Sequence, residues 1–196
     1  ARDTELDIYY TTDGTAPTQS SLKYEEPFEL TSKGNINAIA ADPVTNKISE
    51  VSSSTFDICK AKWNVISPDP DKDPKVDFMI DENEQTIWKS DRATDMPQSV
   101  VVDLGESLNI SGFTYLPTQQ RYIDGTVSHY QFFVSKDGRN WGKPVSSGEF
   151  SNIRNNPILQ TKTFNRATGR FIKFVGEKEI DDKSFITIAD LGILTE

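Results

Sequence analysis

The stretch DENEQTIWKSD, which begins at residue 81, groups carboxylates, amides and hydroxyls around one tryptophan. Oxygen-rich loops of this kind bind hard cations such as Ca²⁺, which takes about six to eight oxygen ligands. In the calcium loop of helix–loop–helix proteins, Asp81, Asn83 and Gln85 would be the first three ligands. That loop also requires a glycine and a final glutamate, and Thr86 and Arg92 stand at those positions. The sequence therefore excludes that type of loop and leaves open a cation site in which the ligands have a different spacing.

Long polar stretches are the second place where binding chemistry could lie. Residues 89–98, 117–128, 149–157 and 177–184 are irregular and polar, so we expect them to be loops. A sugar site needs charged donors and acceptors together with an exposed aromatic face. The candidate sugar-binding residues in or beside these loops are Lys89, Asp91, Arg121, Tyr122, Asn155 and Phe185.

Two conspicuous side chains are given structural roles instead. Trp88 alternates with Ile87 along an expected strand, which predicts a core or half-buried ring. His129, the single histidine, stands at an expected strand start, where a sheet position is the more common role.

No residue pattern predicts catalysis. Hydrolysis of a glycosidic bond needs two carboxylates about 5–10 Å apart in a cleft. The adjacent pairs Glu25-Glu26 and Asp181-Asp182 would point to opposite faces of a strand. The chain also lacks a Ser-His-Asp order, an HExxH motif and a phosphate-binding loop. We therefore predict a non-catalytic chain.

Composition narrows the class of protein. The 196 residues are 35% hydrophobic and 26% charged, as in folded globular domains. The net charge of −9 argues against nucleic acid or an anionic membrane as partner. The single cysteine, Cys59, excludes an intramolecular disulfide and a cysteine-based zinc site. No apolar run approaches the roughly 20 residues that span a bilayer, and a start at Ala rather than Met suggests a piece of a longer protein.

The hydrophobic pattern alternates with the period of β-strands, and helical periodicity is nearly absent. Leu6, Ile8 and Tyr10 alternate, and so do Val100 and Val102. Similar runs follow near residues 130 and 172, and turn signals separate them. Many short strands predict an all-β chain of one or two sandwiches. A proline- and aspartate-rich stretch after residue 62 places the boundary there, giving domains over 1–58 and 62–196.

The first segment carries a resemblance to a known family. IYYTTDGTAPTQSSLKYEEPFEL, residues 8–30, resembles a repeated accessory domain found beside chitobiase and β-hexosaminidase catalytic domains. The resemblance implies a small Ig/fibronectin-like β-sandwich that acts as a structural spacer.

The second segment resembles the coagulation factor five/eight type C domain, also called discoidin, and its bacterial sugar-binding relatives. Five segments occur in the family order: MIDENEQTIWKSD, PQSVVVDLGESLNISGFTYLP, GTVSHYQFFVSKDGRNWGKPVSSGEF, GRFIKFVGE and IADLGIL. The resemblance implies a galactose-binding-type β jelly-roll of eight strands, with a structural Ca²⁺ and with ligands bound in variable loops.

The same resemblance implies a set of calcium ligands. Two positions depart from the family, since Glu82 replaces a glycine and an aspartate at 190 replaces the commoner glutamate. The implied ligands are Asp81, Asn83, Thr86, Ala189 and Asp190, with a main-chain carbonyl near Phe78.

Together the resemblances imply the C-terminal part of a bacterial glycoside hydrolase, such as a chitobiase, hexosaminidase or fucosidase. The expected partners are the parent's catalytic domain and glycans of the galactose, N-acetylhexosamine or fucose type. We expect a monomer without membrane insertion, in the periplasm, at the cell surface or outside the cell. The alternative is a purely structural spacer that binds no sugar. Protein or lipid adhesion is disfavoured, because the loops are polar.

Overall fold

The computed structural model describes residues 6–28, 34–56 and 58–195. The chain divides into two compact units, residues 1–59 and residues 60–196. No helix among the described residues is both long and apolar enough to cross a membrane.

The first unit contains one antiparallel sheet among its described residues, in the order β2-β1-β3-β4. Gly14 has φ of 81°, a backbone conformation that glycine adopts without steric cost, and it lies in the ten-residue connection between β1 and β2. The alternation of Ile39 and Ala41 on β3 buries both side chains. The strands are β1 (Asp7–Thr11), β2 (Leu22–Lys23), β3 (Gly34–Ala41) and β4 (Ser52–Phe56).

The second unit is built on two long antiparallel strands that pair with each other, β7 and β10. The large sheet has the order β12-β7-β10-β8-β9, with β5 also paired to β7, and β6 pairs with β11 in a small sheet. The strands are β5 (Asn64–Ser67), β6 (Trp88–Lys89), β7 (Gln98–Leu116), β8 (Val127–Ser135), β9 (Ser146–Glu149), β10 (Gln160–Glu179), β11 (Thr187–Ile188) and β12 (Asp190–Thr195). Short 3-10 turns cover Lys60–Lys62 and Val76–Met79.

Aromatic rings fill the core of this unit. Phe113 on β7 is fully buried and stacks on Phe132 of β8, with ring centroids 4.2 Å apart. Tyr130, Phe150 and Phe174 contact the same ring. The predicted all-β class is confirmed, since the runs near residues 100, 130 and 172 all form strands of this sheet.

Trp88 belongs to the core, as the sequence predicts. Its side chain is 1% exposed, and its indole Nε1 donates a hydrogen bond of 2.7 Å to Asp73 Oδ2. A buried indole needs such a partner, because an unpaired N–H away from water costs about 1–3 kcal/mol. The ring therefore ties β6 to the loop that contains Asp73 and presents no face to a ligand.

Candidate functional site

Three loops of the second unit meet at one place, which we call the three-loop junction: residues 90–97, 117–126 and 180–186. The first and third are joined by Ser90, whose N donates to the Ile186 carbonyl and whose Oγ accepts from Ile186 N. The third also joins the second, because Thr187 N donates to the Gly125 carbonyl at 2.8 Å. The pairing of β6 with β11 in the small sheet thus continues into the first and third loops and fixes the distance between them.

Gln98 anchors the first loop from inside. Its side chain is buried, and its Nε2 donates to the carbonyl oxygens of Asp91 and Thr94 at 3.0 and 2.7 Å. The same Nε2 donates to the carbonyl of Ser184 in the third loop. One amide at the start of β7 therefore holds backbone atoms of two loops.

Glu179 anchors the second and third loops in the same way. Its carboxylate is buried at the end of β10, where Oε1 accepts a hydrogen bond of 2.8 Å from Gly125 N. Oε2 accepts from Asp181 N at 2.5 Å and from Lys183 N at 3.1 Å. Three backbone donors thus compensate the buried charge, as a buried carboxylate requires.

Phe185 lies under the junction, and the prediction that it exposes an aromatic face is wrong. Its side chain is only 3% exposed. Lys89 Nζ lies 4.2 Å from the ring centroid and Arg92 Cζ lies 4.5 Å from it, so two cationic side chains cover the ring. Gly125 approaches it closely: a Cβ there would lie 2.7 Å from Phe185 Cε2, and the φ of 84° also favours glycine.

The charges of the junction act on one another. Lys183 Nζ lies 2.6 Å from Asp124 Oδ1, and this hydrogen bond lowers the pKa of the Asp124 carboxyl, as do the charges of Lys89 and Arg92. Desolvation lowers the pKa of the Lys89 ammonium, and Arg92 and Lys183 lower it further, whereas Asp124 raises it. Three cationic side chains and one carboxylate therefore act within one electrostatic neighbourhood.

Arg121 and Tyr122 belong to the second loop of the junction, and both side chains are exposed. Tyr122 is 72% exposed, and Arg121 Cζ lies 5.6 Å from its ring centroid. Both precede Asp124 in the second loop. Tyr122 is therefore the aromatic side chain of this junction that can offer a face to solvent.

The remaining two candidate residues differ in position. Asp91 is exposed in the first loop, where its Oδ1 accepts a hydrogen bond from Ala93 N, and Gln98 ties its carbonyl to the junction. Asn155 stays in a turn of its own, where its Nδ2 donates to Asn152 Oδ1 at 2.8 Å. The structure brings Lys89 into contact with Phe185 and places Asp91, Arg121 and Tyr122 in loops of the same junction, and no contact described in the structure joins Asn155 to them.

A separate surface pocket of about 370 Å³ opens beyond Glu179. His129, at the start of β8 as expected, lines it with its ring Nδ1 3.2 Å from Ser128 Oγ. Its lining includes the buried apolar residues Phe150 and Ile153 among mostly polar ones. Its lining consists of Ser128, His129, Glu149, Phe150, Asn152, Ile153, Arg154, Lys178, Glu179, Ile180 and Asp182.

The residues predicted to bind calcium fall in two groups. Thr86 Oγ1 lies 2.8 Å from Asp81 Oδ2 and 2.8 Å from the main-chain carbonyl oxygen of Asn83, whereas the side-chain Oδ1 of Asn83 accepts a hydrogen bond from Gln85 N. Glu82 between them has φ of 59°, which is the left-handed conformation that explains the glycine of the family. Glu82 adopts this conformation less readily than glycine would.

The second group starts at Asp190 on β12. Burial raises the pKa of its carboxyl, and the charges of Asp81 and Glu84 raise it as well, so the two groups lie near each other. Lys60 Nζ lies 2.5 Å from Asp190 Oδ1 and supplies a neutralising charge. Ala189 is fully buried and could offer only its carbonyl.

The donor set is compatible with Ca²⁺. Two carboxylates, one hydroxyl, one amide side chain and main-chain carbonyls are hard oxygen donors, the class that this ion prefers. Phe78, in the 3-10 turn Val76–Met79, could likewise supply only a carbonyl. Among residues 6–28, 34–56 and 58–195, no three His, Cys, Asp or Glu side chains form a group that could hold a metal ion, so oxygens of other residue types would have to complete the donor set.

The sequence analysis missed the residues that hold the junction together. Gln98 and Glu179 are polar, and nothing in their neighbourhood signals that they are buried. Arg92, Asp124 and Lys183 lie within or beside the long polar stretches that the sequence marks as loops. Their charge alone could have suggested them, whereas their convergence depends on contacts across about 90 residues of chain.

Comparison with protein families matches both units. Residues 60–191 match the family described as F5/8 type C domain, and residues 1–56 match the one described as Fn3 associated. A galactose oxidase of Gibberella zeae is 23% identical over 140 residues, which cover 69% of this chain and 20% of that protein. The chain therefore spans about a fifth of the length of this curated relative.

Solved structures are similar to the second unit. CpGH89CBM32-5 of Clostridium perfringens, solved in complex with GalNAc-β-1,3-galactose, is 30% identical with a TM-score of 0.58. The match covers 68% of this chain and 94% of that one. The C-terminal domain of a chitobiase from Bacteroides fragilis has the same TM-score at 20% identity, over 70% of this chain and 95% of that one, which shows the fold alone.

These matches agree with the discoidin-like jelly-roll and with the order of the five sequence segments. The similar structures are carbohydrate-binding modules, which are non-catalytic domains. Because the family match covers more than half of the residues, the chain belongs to the F5/8 type C domain family.

Proposed function

We propose that the second unit is a non-catalytic carbohydrate-binding module whose ligand lies at the three-loop junction. The observation that carries this proposal is that the buried and the exposed side chains of the junction have different roles. The buried side chains of Gln98 and Glu179 fix the loop backbones. The side chains of Lys89, Arg121 and Tyr122 are exposed, so their charged and aromatic groups are accessible to a ligand. Loops that are ordered before binding lose little entropy when a ligand arrives.

Sugar binding suits these exposed groups. An aromatic face stacks on the apolar face of a hexose, and charged side chains form strong hydrogen bonds with its hydroxyls. Similar modules support the proposal, since CpGH89CBM32-5 was solved with a galactose-containing disaccharide. Galactose, N-acetylhexosamine and fucose are the glycan types to test first.

Affinity for one monosaccharide should be weak. A hexose has about a dozen non-hydrogen atoms, and at roughly 0.4 kcal/mol each the binding free energy is about 5 kcal/mol. That corresponds to a Kd of about 0.2 mM. Tight attachment to a surface would then require several sites on the intact protein.

Replacement of Tyr122 by alanine should weaken sugar binding by about tenfold, because a lost ring–sugar contact is worth on the order of 1 kcal/mol or more. The Tm should not change, since the ring is 72% exposed. Tyr122→Phe is the matched control and should keep most of the affinity. A glycan array followed by calorimetric titration of the best ligand gives the measurement.

Other outcomes would change the conclusion. Loss of binding in His129→Ala, with Tyr122→Ala unchanged, would place the ligand in the pocket beyond Glu179 instead. Silence across the array with a folded protein would favour the spacer. The burial of Phe185 is the observation that favours that second candidate, because it removes one aromatic face from the junction.

We also propose that Asp81, Asn83, Thr86 and Asp190 hold a structural Ca²⁺, together with carbonyls near Phe78 and Ala189. The ion would tie the loop after the Val76–Met79 turn to β12. The support is the cluster that Thr86 forms with Asp81 and the buried carboxylate of Asp190 nearby.

Calcium should raise the Tm of the second unit by about 5–10 °C, on the following estimate. Sites in extracellular modules have a Kd of about 10⁻⁴ M, so 10 mM Ca²⁺ adds roughly 2.7 kcal/mol. Thermal unfolding with Ca²⁺ or with chelator checks this, and Mg²⁺ at equal concentration controls for ionic strength. The rise should vanish in Asp81→Asn. It should grow in Lys60→Met, because the ammonium no longer competes for Asp190. An equal Tm in Ca²⁺, Mg²⁺ and chelator would contradict the site.

The parent protein is proposed to be a secreted bacterial glycoside hydrolase of the chitobiase, hexosaminidase or fucosidase type. The Fn3-associated match over residues 1–56 supports a spacer role for the first unit, before a binding module over 62–196. Periplasmic, cell-surface or extracellular location and a monomeric state follow from this proposal. Mass spectrometry of secreted fractions and light scattering of the purified chain test them.

A further inference from the structure

The pocket beyond Glu179 lies beside the three-loop junction and shares only residues 180 and 182 with it. Its volume of about 370 Å³ falls within the range of about 300–1,000 Å³ that small-molecule sites occupy. His129 at the start of β8 lies directly opposite Glu149 on β9 and Lys178 on β10. Residues opposite each other on antiparallel strands share one face of the sheet, so these three side chains form a row along the pocket.

The hydrogen bonds of Ser128 fix the position of the proton on His129. Ser128 Oγ donates to the carbonyl of Lys178 at 3.1 Å and lies 3.2 Å from His129 Nδ1. A hydroxyl has one proton to donate, so Nδ1 carries the proton of the second hydrogen bond when the imidazole is neutral. His129 Nε2 is then a hydrogen-bond acceptor in the lining of the pocket.

The charged side chains of the pocket fall into two groups. Glu179 and Arg154 already have partners, since three backbone N–H groups bind the carboxylate and a neighbouring aspartate pairs with the guanidinium at 2.6 Å. Within the part of the chain that the structure describes, the charged groups of Glu149, Lys178 and Asp182 form no hydrogen bond and no ion pair. All three are exposed, so two carboxylates and one ammonium are available to a ligand.

This set of groups suits a neutral ligand that carries several hydroxyls. Hydroxyls donate to the two carboxylates and to His129 Nε2, and they accept from the ammonium of Lys178. An anionic ligand would meet two carboxylates against one ammonium. An apolar ligand would remove the charged groups from water without giving them a partner, which is costly.

We propose that the pocket beyond Glu179 is a second carbohydrate site, which binds one neutral hexose unit separately from the three-loop junction. Glu149 and Lys178 bind hydroxyls of the sugar through charge-assisted hydrogen bonds, which are about twice as strong as neutral ones. The class of ligand rests on the proposed carbohydrate-binding function, and the site is an addition to it.

The second site binds more weakly than the junction. Phe150 in its lining is only 1% exposed, so its ring is not available to stack on a sugar. Without stacking we expect a Kd of about 2 mM for one hexose, tenfold above that of the junction. Two weak sites on one module strengthen attachment to a surface that displays many sugars.

The imidazole of His129 allows the pocket to be observed by itself. It is the single histidine of the chain, so its Hε1 signal in a proton NMR spectrum of the full chain has one assignment. Galactose or N-acetylglucosamine, titrated to about 20 mM, should shift this signal saturably with a Kd of about 2 mM. Free imidazole in the same sample corrects for any drift in pH. Galacturonate should bind more weakly than galactose, because of the two carboxylates.

Two variants separate the pocket from the junction. Tyr122→Ala should leave the Kd read from the His129 signal unchanged. Glu149→Ala with Lys178→Ala leaves the net charge unchanged and should raise this Kd about tenfold, while the calorimetric affinity of the junction stays the same. Lys47→Ala with Glu50→Ala, at exposed residues of the first unit, is the matched control and should have no effect. Circular dichroism and Tm show that each variant is folded, and the single substitutions replace any double variant that is not.

Several results would overturn the second site and leave the junction standing. These are a His129 signal that stays fixed while calorimetry detects sugar, a shift that disappears in Tyr122→Ala, or a Kd that does not change in the Glu149 and Lys178 variant. Binding of galacturonate as tight as that of galactose would refute the neutral ligand. Absence of sugar binding by both NMR and calorimetry would instead remove the proposed function itself.

Discussion

Replacement of Glu179 by alanine should lower the free energy of unfolding of the second unit by about 3–5 kcal/mol. The substitution leaves the backbone N–H groups of Gly125, Asp181 and Lys183 without their acceptor; an unpaired buried donor such as Gly125 N costs roughly 1–3 kcal/mol, and the two part-buried donors add smaller losses. Water that enters the space left by the carboxylate recovers part of this loss. The effect is large because one side chain serves three donors on two loops.

Urea unfolding followed by tryptophan fluorescence suits this measurement. All three tryptophans, Trp63, Trp88 and Trp141, lie in the second unit, so the signal reports that unit and not the first. Glu179→Gln keeps one acceptor oxygen and should lose about half as much. Glu149→Ala removes an exposed carboxylate, and its free energy of unfolding should stay within about 0.5 kcal/mol of that of the unsubstituted chain. A loss below about 1 kcal/mol in Glu179→Ala would contradict the anchoring role.

Replacement of Phe113 by alanine should cost a similar amount, about 3–5 kcal/mol, for a different reason. The ring is fully buried and contacts Phe132, Tyr130, Phe150 and Phe174, so its removal leaves a cavity among rigid rings. Aromatic side chains cannot collapse into such a space as flexible aliphatic ones do, and the lost contacts are not recovered.

The same fluorescence-detected unfolding checks this prediction. Phe113→Leu fills most of the volume and should cost about 1–2 kcal/mol. Ile158→Ala, at a side chain that is 55% exposed, is the matched control and should have little effect. Equal stability of the Leu and Ala variants would show that the site relaxes and that the aromatic cluster is not the rigid centre of the core.

The strands could be predicted from the sequence because alternation depends only on neighbouring residues. Val100, Val102, Ile172 and Phe174 alternate, and the structure buries all four on the same sheet. The burial of Trp88 was predicted by the same reasoning. Local patterns are therefore a sufficient guide wherever a strand is regular.

The burial of the anchoring residue Glu179 could not be predicted, because the regular alternation of the strand ends before it. Alternation from Ile172 through Phe174 and Gly176 would place residue 178 inside and Glu179 outside. Register shifts between Gly176 and Lys178, and again before Glu179, reverse this order and bury the glutamate. A bulge of this kind is set by the pairing of β10 with β8, and the residue types at the end of β10 do not predict it.

Phe185 is a residue whose environment was predicted wrongly. An aromatic residue after a polar loop favours an exposed face, yet its environment is decided by Lys89 and Arg92, which lie more than 90 residues earlier in the chain. Polarity predicted the four loop stretches, and residues 90–97 and 117–126 do lie between strands, whereas residues 177–179 belong to β10. Polarity could not give the orientation of one ring, which depends on contacts between residues far apart in the chain.

The manner in which the junction is anchored has an evolutionary consequence. Gln98 and Glu179 hold carbonyls and N–H groups of the loops, and every residue type at those loop positions except proline supplies these atoms. Surface side chains can consequently be exchanged one at a time without loss of loop position. Such a module can acquire a new ligand by a few substitutions near residues 89, 92, 121 and 122, while the fold shared with relatives at 23–30% identity stays intact.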